Sequence, residues 1–200
     1  MKKIILASKS YDRSELFNRL NIPFEVLDTN FNENDYKERY FEPIKLVKEL
    51  AKAKVVKAKK MLANEEKGTV IIAADTIVEL NGEIIGKPHN EDEAFKMLKT
   101  LANHSHNLIT GIAITEIGDN KIIIDYDVTN VSLLNLTDDD IRNYVRVGEW
   151  KGRAGAYSIR DRASLFIKGI QGSPSNVIGL PMQKLFEILK NEFNLNLYEC

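Results

Sequence analysis

Two hundred residues with 44% hydrophobic and 28% charged content suit one globular domain, or one domain with a small lobe, and bury a sizeable core without staples. Twenty-eight basic residues against 29 acidic ones leave a net charge of −1, which gives no electrostatic case for general nucleic-acid or membrane-surface binding. The single cysteine, Cys200, excludes an intrachain disulfide and a cysteine metal cluster and suits a reducing cytosol.

Lys2-Lys3 precede the apolar run Ile4-Ile5-Leu6-Ala7. That run is too short for a signal-peptide core of roughly 7–15 residues. No run reaches the roughly 18 apolar residues of a membrane span. The expectation is a cytoplasmic protein without a membrane partner. The opening run reads as a short buried strand, followed by a Ser8-Lys9-Ser10 loop and a helix over residues 11–20 that Ser10 caps. A strand–loop–helix entry aims backbone N–H groups and the positive helix end at one spot, which suits an anion. Ser8, Lys9, Ser10 and Arg13 sit there, and the Arg13 fork has the reach for a phosphate in that loop. The glycines of a Walker A loop are absent, and on this stretch alone a capped helix with solvated charges is the simpler reading.

Residues 22–27 read as a second strand and residues 28–40 as a long polar loop carrying Glu33 and Asp35, acids able to reach a metal. Residues 43–62 form a long helix with apolar positions at helical spacing and seven lysines, most of them a solvated face. The centre of the chain is 70–87. Its apolar run ends in Asp75, and a carboxylate there is costly unless a cleft supplies a cation or substrate. Asn81-Gly82 is a hairpin turn, and the return strand 83–85 leads to Lys87, expected beside Asp75. An acid and a base at the mouth of a buried strand pair suit a metal-bound phosphate; an ordinary hairpin with a surface ion pair is the alternative.

Asn90 and Glu93 open a helix over residues 91–101, and residues 107–117 and 121–134 read as two long strands. His104 and His106 have ligand spacing, but such a pair on a loop is ordinarily structural or solvated. Thr137 caps a helix over residues 138–147, and Asp138, Asp139 and Asp140 serve its dipole. Small residues surround Arg153 in a loop ending at Tyr157, where backbone can approach a ligand closely. A strand over 163–170, a turn over 172–176, a helix over 182–193 and a short final strand complete the reading. Early strand–helix alternation with an antiparallel middle gives an α/β fold with a mixed, twisted sheet. The early loop, Glu33, Asp75, Lys87 and the 152–157 loop are expected to converge on a cleft between two lobes.

These residues spell a wider pattern. Leu6-Ala7-Ser8-x-Ser10-x-x-Arg13-x-Glu15-Leu16, Leu50-Ala51-x-x-Lys54, Ala74-Asp75-Thr76-Ile77-Val78 and Gly86-Lys87-Pro88 come first. His106-x-Leu108-x-Thr110-Gly111, Ala154-Gly155-Ala156-Tyr157, Gly172-Ser173 and Asn176-Val177-Ile178-Gly179-Leu180-Pro181 follow. In this order, over nearly the whole chain, the sequence resembles the Maf family of nucleoside triphosphate pyrophosphatases. The resemblance implies one Maf-like domain over residues 1–200, an elongated α/β architecture with flanking helices and a central cleft, similar to inosine triphosphate pyrophosphatases. It implies hydrolysis of a nucleoside triphosphate to the monophosphate and pyrophosphate with Mg²⁺ or Mn²⁺, and a homodimer. Asp75 matches the catalytic acid, Ser8, Arg13, Lys54 and Lys87 match residues that grip the triphosphate, and Glu33 matches an acid near the metal. Both dTTP/UTP and modified nucleotides such as methylated GTP are substrate classes of the family, and the 154–157 stretch favours pyrimidines. Two positions depart from the pattern: Asp12 replaces one arginine of a pair, and Arg160 stands where a glutamine contributes to the active site. The rival reading is a nucleotide-binding regulator of septum formation with little or no turnover.

Overall fold

The computed structural model describes residues 2–199, so Cys200 lies outside the described residues. The strands are β1 (Ile4–Leu6), β2 (Glu25–Val26), β3 (Val70–Leu80), β4 (Glu83–Ile85), β5 (Ser105–Glu116), β6 (Ile122–Leu133) and β7 (Ile167–Gln171). The helices are α1 (Tyr11–Arg19), α2 (Asn34–Arg39), α3 (Pro43–Met61), α4 (Glu91–Leu101), α5 (Asp138–Val147), α6 (Pro174–Ile178) and α7 (Met182–Phe193). The strands form one mixed sheet in the order β2-β1-β3-β5-β6-β7, with β4 paired to β3, so the expected α/β class holds. The chain divides into two compact units. One comprises the residues up to Asp75, Thr110–Asp127 and those from Gly179 onward; the other comprises Thr76–Ile109 and Val128–Ile178.

In the first unit β1 runs parallel to both β2 and β3, with Leu6 opposite Ile72. The first half of β3 is buried on both faces, as parallel strands are. Val70, Ile72 and Ala74 pack with Phe17 of α1 and with Leu185, Leu189 and Phe193 of α7. Ile71 and Ala73 turn the other way and pack on Ala51, Val55 and Ala58 of α3. Strand alternation therefore puts Asp75 on the α3 side. Helix α3 starts at Pro43, whose missing N–H costs nothing in the first turn, and the Glu42 carboxylate accepts from the amides of Ile44 and Lys45. Its backbone lies against β5 at Gly111, where an added Cβ would stand 2.4 Å from the carbonyl oxygen of Val47. Only glycine fits that approach.

In the second unit β3 turns into β4 through Asn81 and Gly82, with φ values of 53° and 86°, and the ladder runs antiparallel from Leu80↔Glu83 to Val78↔Ile85. Positive φ at both central residues is what this Asn-Gly turn requires. Val78, Leu98 and Leu101 of α4, Ile141 and Val145 of α5, Trp150, Tyr157 and Phe166 fill the core of this unit. Asn90 caps α4, and Thr137 with Asp140 forms a reciprocal capping box on α5. Asp138, Asp139 and Asp140 all lie in the first turn of α5, where acids favour the positive helix end, and Asp138 also pairs with Lys99 and Asp139 with Arg142.

Five details differ from the sequence reading. The loop over 28–40 contains α2, because Asn32 Oδ1 accepts from the Asn34 amide and two i,i+4 contacts, Glu33 with Lys37 and Tyr36 with Tyr40, hold the turn. The second strand shrinks to β2, since β1 offers it only two paired residues. The stretch over 163–170 opens with a tight helical turn before β7, and the turn after it becomes α6. The chain ends in a helical turn over Leu197–Glu199 and not a strand, because Asn196 Oδ1 takes the Tyr198 amide that a ladder would need.

Candidate active site

Where β1 ends, the chain folds back on its own hydroxyls. Ser8 Oγ accepts from the Ser10 amide at 3.2 Å, and Ser10 Oγ caps α1 by accepting from the Arg13 amide at 3.4 Å. Lys9 leaves this loop outward and pairs with Asp28 at 2.8 Å. Arg13 turns inward and is 9% exposed. Its Nε donates to the Gly179 carbonyl at 2.7 Å, and its Nη1 donates to Ser8 Oγ at 3.0 Å and to the Ala74 carbonyl at 2.9 Å. Burial pulls the Arg13 pKa below its ordinary value, against the fields of Asp75, Glu33 and Asp12.

Two turns along α3 from the Gly111 contact, Lys54 reaches Asp75. Its Nζ donates to Asp75 Oδ1 and, at 2.7 Å, to Glu33 Oε1. The Lys54 and Asp75 side chains are 12% and 9% exposed. Glu33 comes from the segment that closes into α2, and Lys37 on the next turn of that helix pairs with its second oxygen at 3.0 Å. Burial raises the Glu33 pKa, but the charge and hydrogen bond of Lys54, with those of Lys37, overcome it and hold the carboxyl at about 2. Both oxygens of Glu33 thus face cations.

Five residues singled out in the sequence, Ser8, Arg13, Glu33, Lys54 and Asp75, meet in the first unit. Lys87 and Arg160 belong to the second unit. Lys87 follows Gly86, whose carbonyl accepts from the Gly155 amide at 3.0 Å, and this bond ties the Gly-Lys-Pro turn to the small-residue loop. The β3–β4 ladder stops at Val78↔Ile85, two residues short of Lys87. Arg160 follows that loop, its amide donating to Ser158 Oγ at 3.4 Å. The two histidines do not act as a pair: His104 is exposed, and His106 is structural. His106 is buried, its Nε2 lies 2.7 Å from the Tyr157 hydroxyl, and burial holds it neutral with a pKa of about 4.

Sequence reasoning missed Lys37, although its i,i+4 spacing from Glu33 was a usable signal. It also missed the carbonyls of Ala74 and Gly179 as partners of Arg13, and backbone acceptors leave no mark in a sequence.

Chemically, two carboxylates converge on one cation. Among the described residues no group of three or more His, Cys, Asp or Glu is placed to hold a metal. A pair of carboxylate oxygens completed by water and phosphate oxygens is nevertheless the usual protein share for Mg²⁺. That the Lys54 ammonium already sits between Glu33 and Asp75 shows that the pair accommodates positive charge. The donor set therefore fits a hard divalent cation.

Residues 3–192 match the family model of the Maf-like proteins. A dTTP/UTP pyrophosphatase of Caldanaerobacter subterraneus subsp. tengcongensis is 44% identical over 193 residues, covering 96% of this chain and 90% of that protein. A dTTP/UTP pyrophosphatase of Alkaliphilus oremlandii is 42% identical over 198 residues, covering 98% of this chain and all of that protein. A third, from Clostridium perfringens, is 40% identical over 194 residues, covering 94% of this chain and 96% of the relative.

Proposed function

The chain belongs to the Maf-like protein family, and on that premise we propose that it is a nucleoside triphosphate pyrophosphatase. It hydrolyses dTTP and UTP, the substrates in its relatives' names, to the monophosphate and pyrophosphate. The observation that carries this reading is the Glu33–Lys54–Asp75 contact beside the Ser8 loop.

Water attacks the α-phosphorus, the bond to the β-phosphate oxygen breaks, and its electron pair leaves with pyrophosphate. The chemistry needs an oriented water and neutralised phosphate oxygens. Asp75 orients the water and takes its proton. Lys54, Arg13 and Lys87 supply positive charge to the triphosphate, Ser8 donates to it, and Arg160 contacts the substrate. Mg²⁺ or Mn²⁺, held by Glu33 and Asp75, would neutralise phosphate charge. A cytoplasmic homodimer acting on free nucleotides is part of the same reading, and light scattering gives the oligomeric state. No helix is long and apolar enough to cross a membrane among the described residues.

The test is pyrophosphate release from a panel of canonical and modified nucleoside triphosphates with Mg²⁺ or Mn²⁺, beside Asp75→Asn. Release from dTTP and UTP that disappears in the mutant is the expected result. Unchanged turnover in Asp75→Asn rejects the role of Asp75. No release from any nucleotide by folded protein rejects the enzyme and leaves the binding-only regulator.

A further inference from the structure

The edge of β3 that faces β1 loses its partner just before Asp75. Leu6 pairs with Ile72, and the Ile72 carbonyl accepts from the Ala7 amide at 2.8 Å. The next carbonyl on that edge is that of Ala74, since ladder groups on one edge recur every second residue. A longer β1 would satisfy it, but the chain has already left the sheet into the Ser8 loop. A buried carbonyl left unpaired there would keep its full desolvation penalty. Arg13 Nη1 takes its place at 2.9 Å. The same nitrogen holds Ser8 Oγ, and Nε holds the Gly179 carbonyl. At least three of the five N–H donors of the guanidinium are thus committed to protein oxygens. One planar group ties together the end of β1, the strand carrying Asp75 and the segment entering α7.

We infer that Arg13 is a positioning residue for the reaction: it fixes the backbone at Ala74, and through it the carboxylate of Asp75, by standing in for the missing continuation of β1. This assignment rests on the pyrophosphatase reading and adds to the phosphate charge given to Arg13 there. A lysine keeps the charge but is a point donor without the fork, so it cannot hold three acceptors in one plane.

The experiment compares wild type and Arg13→Lys in kcat and KM for dTTP, and in Kd for a non-hydrolysable α,β-methylene dTTP analogue by calorimetry. The cap deletion Thr137→Ala serves as a control that loses stability without touching the clamp. A displacement of about 1 Å in a catalytic group costs on the order of a hundredfold in rate. The expected result is a loss of kcat of about that size in Arg13→Lys, with KM and Kd within about threefold of wild type. Thr137→Ala should keep its kcat. A rise in Kd of about tenfold or more, or an unchanged kcat, overturns the inference, because Arg13 would then act mainly as a phosphate ligand or not at all. If Arg13→Lys does not fold, the wild-type protein carries the test. Its Arg13 Nε–H, followed by ¹⁵N NMR without nucleotide, should be protected from solvent exchange, and exchange at the rate of a free guanidinium overturns the clamp. Calorimetry and exchange need no turnover, so an inactive wild type would reject the pyrophosphatase while leaving these two readouts to judge Arg13.

Discussion

Replacing Lys54 by methionine removes the ammonium that Glu33 and Asp75 share and leaves a stem of similar length. Breaking one side of a buried ion pair costs about 3–5 kcal/mol, because the abandoned charge stays buried. Here Asp75 is 9% exposed, whereas Glu33 is 28% exposed and keeps Lys37. The lower end of that range, about 3 kcal/mol at pH 7, is therefore expected. The pH dependence identifies the cause. The Glu33 carboxyl titrates at about 2 in the folded protein against an ordinary 4.5. A depressed carboxylate contributes stability that is present above its unfolded pKa and is lost as pH falls from 4.5 toward 2. Lys54→Met loses most of this contribution, so the gap between variant and wild type should narrow by about 1–2 kcal/mol between pH 7 and pH 3, allowing for screening at the exposed part of Glu33. Urea titrations followed by circular dichroism at the two pH values measure the gap, with the slope m checked for constancy. A variant as stable as wild type at pH 7, or a gap independent of pH, would refute the reasoning.

Other outcomes follow from the packing. Gly111→Ala sets a Cβ against the Val47 carbonyl and should cost about 3 kcal/mol, read as a lowered urea midpoint. Asn176 is fully buried and donates to the Leu108 carbonyl at 3.1 Å and to Thr129 Oγ1 at 2.9 Å. Asn176→Ala abandons both acceptors and should cost about 2 kcal/mol by the same measurement. Burial lowers the His106 pKa from 6.5 to about 4 against the field of Glu79, so the ring stays neutral in the fold and its stabilising contribution drains as pH falls from 6.5 toward 4. Its imidazole signals in an NMR titration should not move above pH 5.5, and a midpoint near 6.5 would contradict the burial argument.

The elements legible in the sequence were those with local causes. Asn81-Gly82 fixed the hairpin, Thr137 and Asn90 fixed two helix starts, and the two-sided apolar run of β3 marked a buried strand that ends in a carboxylate. Ser8, Arg13 and Asp75 were marked by local chemistry, whereas Lys54 was singled out only through the resemblance, since nothing local says that a lysine on one helix meets an aspartate 21 residues on. That encounter depends on strand alternation and on the seating of α3, both tertiary. Helix α2 was hidden because its support is aromatic and ionic pairing over six polar residues and not an apolar stripe. The Ala74 and Gly179 acceptors of Arg13 were hidden because they are main-chain oxygens.

The seat of Gly111 on Val47 has a bearing on how freely the interior can drift. Where a helix rests on side chains, any exchange of volume moves it, and whatever hangs from it moves too. At Gly111 α3 rests on main chain, and main chain is the same whatever sequence surrounds it. Lys54 hangs two turns from that contact, 7 residues along a stiff rod. Leucines and valines elsewhere in the unit can then be traded for neighbours of like bulk while the ammonium keeps its place. The Glu33–Lys54–Asp75 contact is thereby buffered against repacking of the interior, and one hydrogen atom in place of a side chain provides part of that buffer.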